Sequence, residues 1–517
     1  MNQQVDIKCS PKQASDERLY LKIVAEQLKI NVKDITNSRV LRKSIDARKR
    51  DIIINLRVDI VTDNSEFEIE KIKFEYNDVK NADEVVIIGT GPAGLFAALR
   101  LIELGKKPII FERGKSVSER KIDIAKINRE SIVDEDSNYC FGEGGAGTFS
   151  DGKLYTRSKK RGSVTRILEI LNNHGADDSI LYEAHPHIGT NKLPQVIKGI
   201  RETILNAGGE VNFNSKLTDI IIKDNKVIGV EINNSEIKKC TKLILATGHS
   251  ARDVYEMLHA KKIDLEAKSF AMGVRVEHPQ KLIDSIQYTC DIRSEYLPAA
   301  TYNLVQQVDG RGVYSFCMCP GGFIVPAATA PNQMVVNGMS PAKRDSEFAN
   351  SGMVVEIKDE DLKDYKEFGV LAGMKYQENF ERMAFNNGGQ GMVAPAQRLH
   401  DFVKGRISES LPKTSYHPGI ISSPMHHWMP ENIAKRLQKG FKLFNNKMRG
   451  YLTNDAVIIG VESRTSSPVR IPRNRDNFEH ITIKGLYPCG EGAGYAGGIV
   501  SAAIDGEKLA EYIGKNN

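Results

Sequence analysis

Two cysteines one residue apart, Cys317 and Cys319, two adjacent histidines, His426 and His427, and two arginines in one string, Arg464 and Arg470, are side chains whose types and spacing suit chemistry. Paired thiols can exchange two electrons, imidazoles move protons near neutral pH, and guanidinium groups grip carboxylates or phosphates with two parallel hydrogen bonds. Each has a plainer reading. In a regular strand, VYSFCMC would put both thiols on one face with Cα atoms roughly 6.5–7 Å apart. That is the edge of unstrained disulfide geometry, and the segment is not a C-x-x-C at a helix start, where a thiol pKa falls. A structural or pocket-lining pair is expected, with Cys317 as the candidate for redox work. Trp428 beside the two histidines makes a packing cluster the competing reading there. In GVRVEHP, Arg275 and Glu277 alternate onto one strand face, which fits a cross-paired structural role.

Such groups need a frame, and its clearest element is EVVIIGTGPAGLFAALRLIELGKKPIIFE at 84–112. The apolar run 85–88 suits a buried parallel strand. Gly89, Gly91 and Gly94 then take the G-x-G-x-x-G places, with Pro92 and Ala93 between them, ahead of a helix and a second strand. The first glycine allows a tight turn, the second lets backbone approach a pyrophosphate, and the third lets helix press on strand. The helix N-terminus favours an anion, and Glu112, followed by Arg113, is placed to accept from a ribose hydroxyl. The unit reads as a dinucleotide site.

Two apolar alternating stretches, 217–223 and 226–232, meet at an Asp224-Asn225 turn and read as an antiparallel meander. LILATG at 243–248 follows as a strand and small-residue turn. This layout resembles glutathione-reductase-type FAD proteins, in which the ATG turn, here Thr247 and Gly248, lies close to the nucleotide. GLYPCGEGAGYAGGI at 485–499, leading into a helical stretch, resembles their third FAD segment. In them a strand ends in Gly-Asp, the acid binds the ribityl chain, and the next helix points its N-terminus at the flavin. Here the pair is Gly490 and Glu491, one methylene longer, and Gly497, Gly498 and Ile499 open the helix. Three segments in the expected order select FAD over NAD. The glycine-rich loop 142–153, with Gly144, Gly145, Gly147, Thr148, Ser150, Asp151 and Lys153, corresponds to one that runs beside the pyrophosphate and isoalloxazine. Three longer strings, at 141–157, 317–329 and 461–471, resemble a bacterial family of FAD-dependent dehydrogenases, largely uncharacterised biochemically. That resemblance implies flavin redox chemistry and names no substrate.

A chain of 517 residues exceeds one core, so two or three domains are expected. The expected fold is α/β: a Rossmann-like FAD-binding domain of three-layer ββα type at 82–265 and 455–517, an inserted α+β substrate domain at 266–454, and a small N-terminal α+β domain at 1–80. In that last domain helices are expected near 15–29 and 33–45, strands near 51–62 and 67–76, and a linker at 77–83. With 72 basic and 66 acidic residues, the formal charge of +6 is mild and predicts neither nucleic-acid nor membrane binding. The stretch 39–50 gathers six basic residues. Its sharp reading is an RNA-modifying flavoprotein; its plain one is a solvated helix face. A flavin-holding partner or sensor protein is the non-enzymatic alternative. No apolar run is long enough to span a membrane, the N-terminal residues lack a signal core, and seven scattered cysteines do not make a disulfide framework. A cytoplasmic enzyme is expected. No metal is called for, and oligomeric state is left open. A second G-x-G-x-x-G unit is absent, so NAD(P)H would need a shallow site. Otherwise a small-molecule substrate supplies the hydride, and a quinone, dioxygen or a partner protein takes the electrons.

Overall fold

A computed structural model describes residues 2–63, 65, 67, 73–156 and 162–515. Its centre is a five-stranded parallel sheet in the order Leu486–Pro488, Leu243–Leu245, Glu84–Ile88, Lys107–Phe111, Glu210–Asn212. The period-two geometry of a strand sends alternate residues to opposite faces, and both faces of this sheet are buried. Val85 and Ile87 pack with the helix Pro92–Glu103 and the C-terminal helix Ile499–Lys515. Val86 and Ile88 pack instead with Leu217, Ile220, Val227 and Val230. Those four belong to the antiparallel meander Leu217–Lys223, Lys226–Ile232, Glu236–Lys239, whose first turn places Asp224 and Asn225 at positive φ. The result is the three-layer ββα arrangement.

The N-terminal unit is a three-stranded antiparallel sheet with Ile53–Val61 between Asn2–Cys9 and Asn37–Asp46, covered by the helix Glu17–Leu28. Two expectations change here. The chain at 33–45 is not an α-helix. It is a short turn, Val32–Asp34, and then a strand, because the central strand 53–61 is available to pair with it and tertiary pairing overrides local preference. The basic stretch therefore lies largely on a strand. Arg39 pairs with buried Asp59, Lys43 with Glu183 of the parallel-sheet domain, and Arg48 with Asp46. The strand Asn2–Cys9 was hidden by its polar outward residues, although Val5, Ile7 and Cys9 alternate inward. Half of the strand expected at 67–76, residues 68–72, lies outside the described residues, and its described residues 67 and 73–76 are not in a strand.

The inserted region forms a seven-stranded sheet in the order Val305–Val308, Arg311–Cys319, Phe348–Ile357, Phe270–Pro279, Val457–Glu462, Ala394–Arg398, Ile420–Ser422. All pairs are antiparallel except the last. The helix Glu431–Lys447 covers it with buried Ile433, Leu437, Phe441 and Phe444. The expected boundary at 454/455 falls ahead of Val457–Glu462, a strand that pairs only within this sheet. Among the described residues no helix is long and apolar enough to cross a membrane.

Candidate functional site

Three turns meet at the C-terminal ends of the parallel strands. Gly89, at φ +102°, sits so close to Ala246 that a Cβ would lie 2.4 Å from its carbonyl oxygen. A Cβ on Gly94 would lie 2.0 Å from the Gly89 carbonyl oxygen. A Cβ on Gly492 would lie 2.6 Å from the Gly248 carbonyl oxygen, and one on Gly490 2.8 Å from the Ala93 Cβ. The loop 142–148 closes the group: Gly144 N–H donates to the Thr90 carbonyl, while Gly145 and Gly147 leave room for Gly91 and the Ile499 side chain. Residues more than 400 positions apart in sequence thus line one groove.

Other glycines in the groove have no fold-based reason to be glycine. Gly91 caps the helix Pro92–Glu103 at φ −68°, an ordinary value, and a Cβ there would meet nothing within 4 Å. Gly497 is exposed, also without positive φ, and equally open. The helix at Gly91 has no side-chain cap, so its first N–H groups face the groove unclaimed by a capping side chain. Open space beside a free helix N-terminus fits a pyrophosphate. Ala93 and Gly94 would hold it, and Gly490, Glu491 and the start of the helix Ile499–Lys515 would hold the flavin end.

Glu112 organises this groove from beneath. One carboxylate oxygen accepts from the Thr90 N–H and hydroxyl at 2.8 and 2.7 Å, the other from the Gly114 and Gly142 N–H groups at 2.9 and 3.0 Å. Its four acceptor positions are thereby filled. A ribose hydroxyl reaches Glu112 only by displacing one donor, and the Thr90 hydroxyl is the one able to rotate away. Arg113 stacks over Phe141 at 4.4 Å and pairs with Asp253 at 2.7 Å. It borders a polar cleft of about 380 Å³ with Lys115, Asp136, Asn214, Lys216 and Asn233. Thr148 is fully buried and donates to the Glu143 carbonyl, and Ser150 donates to the Gly147 carbonyl. These two hydroxyls hold the shape of the loop.

On the side of the inserted sheet, Arg464 is not a free anion clamp. Its guanidinium donates to Glu381 at 3.1 and 3.0 Å, to Thr329 Oγ1 at 2.7 Å and to Gln333 Oε1 at 3.1 Å. Arg252 grips the same carboxylate with two bonds of 2.9 and 2.8 Å, and Ser463 adds a third donor. Burial alone would raise the Glu381 pKa, but the two arginines hold it well below the usual carboxylate range. The cluster ties the helix Arg252–Ala260 to the insertion. Arg470 pairs only loosely, at 3.5 Å, with exposed Glu266.

His426 and His427 lie elsewhere. They sit on the short turn Met425–Trp428 beside the edge of the inserted sheet, where His426 Nδ1 meets Gln397 at 2.8 Å and Trp428 donates to Ser423. His426 thus contacts the insertion's own edge, while the His427 side chain is exposed. Arg275 and Glu277 are likewise structural: Arg275 bonds Glu462 and Asn350, and Glu277 accepts from Ser415.

The imidazole that does stand at the groove is His249, one residue past the ATG turn. Its Nε2 lies 3.0 Å from the Arg464 carbonyl and its Nδ1 3.6 Å from the Glu491 carboxylate. Its signal in the sequence is adjacency to Gly248 in LILATGHS, less conspicuous than the pair His426 and His427. Cys317 departs from regular strand geometry: it has φ +48°, at a bulge where pairing jumps from Phe316↔Gly352 to Cys319↔Asn350.

Parallel sheet, phosphate turn, uncapped helix and third glycine segment together define a flavoprotein oxidoreductase of the Rossmann type. Comparison with known proteins agrees. The model described as pyridine nucleotide-disulphide oxidoreductase matches residues 83–262, and that described as FAD-dependent protein, C-terminal domain-like, matches 269–465. A domain of unknown function matches 1–61. An uncharacterized protein of Clostridium beijerinckii is 43% identical over 519 residues, covering 96% of each chain. The thiamine thiazole synthase of Aeropyrum pernix is 28% identical over 156 residues, 30% of this chain and 45% of its own. Among solved structures, a geranylgeranyl bacteriochlorophyll reductase-like protein from Thermoplasma acidophilum covers 84% of this chain and 79% of its own at 13% identity and TM-score 0.34. Glycine oxidase from Bacillus cereus covers 84% and 96% at 14% identity and TM-score 0.31. The chain belongs to the family of FAD-dependent oxidoreductases that includes the Clostridium beijerinckii protein, and its cofactor is FAD.

Proposed function

We propose that the protein exchanges a hydride between a small organic substrate and bound FAD, without a separate nicotinamide domain. His249 carries this reading. The Arg464 carbonyl can only accept, so Nε2 bears the hydrogen, and Nδ1, facing Glu491, is the nitrogen able to take or return a proton. A hydride leaving a carbon that bears a hydroxyl or amine releases a proton as well, and a held imidazole serves that transfer. FAD supplies the two-electron chemistry when bound. The chain's part is to hold the nucleotide on the glycine turns, fix His249 through Arg464, and cover the site with the inserted sheet. The single G-x-G-x-x-G unit supports the substrate as hydride donor, with NAD(P)H confined to a transient site and a quinone or dioxygen as acceptor.

Anaerobic titration of the purified yellow protein with NADH, NADPH and a panel of small alcohols, amines and hydroxy acids tests this. One organic compound should bleach the flavin far faster than free FAD, and His249→Gln should slow that bleaching without loss of bound FAD. Bleaching by NADPH alone, or equal rates in His249→Gln, would overturn the reading.

A further inference from the structure

Cys317 and Cys319 form a charged thiol centre that the hydride reading does not use. In a regular strand two side chains at i and i+2 point the same way but stand apart. Here the bulge puts Cys317 at φ +48°, a left-handed conformation that is unfavourable for a non-glycine residue and persists where surrounding contacts impose it. The contacts that impose it are polar. Lys153 Nζ lies 3.8 Å from the Cys317 sulfur and 3.9 Å from the Cys319 sulfur, and it also bonds the intervening Met318 carbonyl. Arg275, fully buried, donates to the Cys317 carbonyl at 3.1 Å. Cys319 donates to the Cys317 carbonyl at 3.3 Å, which folds its thiol back over the bulge.

The surrounding charge favours a thiolate at Cys317. Lys153 and Arg275 are the cations, and Asp151 and Glu462 the anions. Asp151 is occupied by Arg344 at 2.5 Å and Glu462 by Arg275 at 2.9 Å, which blunts their repulsion. Tyr302 is the remaining titratable neighbour, on the Cys319 side. The neighbouring Cys319 thiol, then Lys153 and Arg275, hold the Cys317 thiol well below its ordinary range against the opposing effect of burial. The same pairing, then burial, pushes Cys319 up. Cys317 is half-buried and Cys319 fully buried, so a small reagent meets Cys317 first.

We infer that Cys317 and Cys319 are a redox dithiol that exchanges with a low-molecular-weight disulfide, Cys317 attacking and Cys319 resolving, with Lys153 as the residue that positions and stabilises the attacking sulfur. The Cys317 thiolate attacks a substrate disulfide, forming a mixed disulfide and releasing one substrate thiolate. Cys319 then attacks the Cys317 sulfur, its proton passing to the second departing sulfur. The products are one Cys317–Cys319 disulfide, one substrate thiolate, which takes a proton from water, and one substrate thiol, so two electrons leave the protein for each disulfide reduced. The step stands independently of the hydride substrate proposed above.

The test uses the full-length protein and cystamine, with readouts separate from turnover. Mass spectrometry of the peptide carrying both cysteines should show loss of two hydrogens after cystamine, with two thiols released. Cys319→Ser should trap a cystamine adduct on Cys317. In the wild type, iodoacetamide should label Cys317, read at that residue by tandem mass spectrometry, with a pH midpoint below the ordinary thiol value of about 8.5. Lys153→Met should slow labelling at pH 6.5 about tenfold, as expected for a pKa rise of one unit, and Lys153→Arg should restore it. FAD content and circular dichroism serve as folding controls. Absence of the internal disulfide in the wild type, no trapped adduct in Cys319→Ser, or a midpoint at or above about 8.5 would each overturn the inference. The wild-type measurement decides the matter even if Lys153→Met fails to fold.

Discussion

The nucleotide groove and the inserted sheet solve opposite problems. Around the groove, backbone meets backbone: Gly89 against Ala246, Gly94 against Gly89, Gly492 against Gly248, at approaches that exclude even one methyl group. In the inserted region the close contacts are between buried charges, Arg252 and Arg464 on Glu381 and Arg275 on Glu462. The groove is shaped by side chains that are missing, so it can admit a ligand backbone. The insertion is held by side chains that neutralise one another, so it fixes the positions of the reactive groups it carries. Within the groove the same contrast recurs, since Gly89 and Gly94 are needed by the fold whereas Gly91 and Gly497 are needed only if something lies against them.

Four substitutions bear on this comparison. Gly94→Ala should have the largest effect, because its Cβ would collide with a carbonyl that belongs to the same turn. We expect more than about 3 kcal/mol of destabilisation and protein recovered without flavin, read from the 450 nm absorbance. A yellow, stable Gly94→Ala would break the backbone-contact account. Glu381→Gln should follow, since it strands two buried arginines beside a neutral amide. A cost of roughly 3–5 kcal/mol should appear in thermal denaturation, while loss of under about 1 kcal/mol would mean the cluster is solvated.

His278 tests the insertion through pH. Burial pushes it down from 6.5 to about 4, with Nε2 donating to the Tyr451 carbonyl. The unfolded chain therefore binds an extra proton between those values, and stability is fully present above 6.5 and lost as pH falls toward 4. The loss amounts to roughly 3 kcal/mol at most. Urea midpoints at pH 7 and pH 5 should differ more for the wild type than for His278→Gln. Equal differences would place the acid sensitivity elsewhere. Gly91→Ala should perturb the fold least, within about 1 kcal/mol, yet weaken FAD retention at least tenfold on gel filtration. Unchanged retention would remove Gly91 from the pyrophosphate site and leave its glycine unexplained.

Legibility in the sequence followed locality. Glycine turns are local: the same few residues that make Gly89, Gly91 and Gly94 necessary stand next to one another in the chain, and the ATG and Gly490-Glu491 segments are equally compact. The parallel strands, meander and discontinuous sheet could therefore be laid out in order. Whether 33–45 formed helix or strand depended on an edge offered by residues 53–61, and local preference pointed the other way. His426 and His427 are conspicuous as a pair although His426 contacts Gln397 at the sheet edge, while single His249 has partners, Arg464 and Glu491, that lie more than 200 residues away.

By itself the sequence determined the nucleotide fold and the cofactor, because a phosphate turn is written in glycines whose spacing carries its own geometry. Only tertiary structure decided which side chains are spent on holding the protein together and which are free to react. Arg464 became structural when Glu381 and Arg252 converged on it. Cys317 became a candidate nucleophile when a one-residue bulge and a lysine from 164 positions upstream met at its sulfur. Charge and burial act through space, and distance along the chain does not encode them.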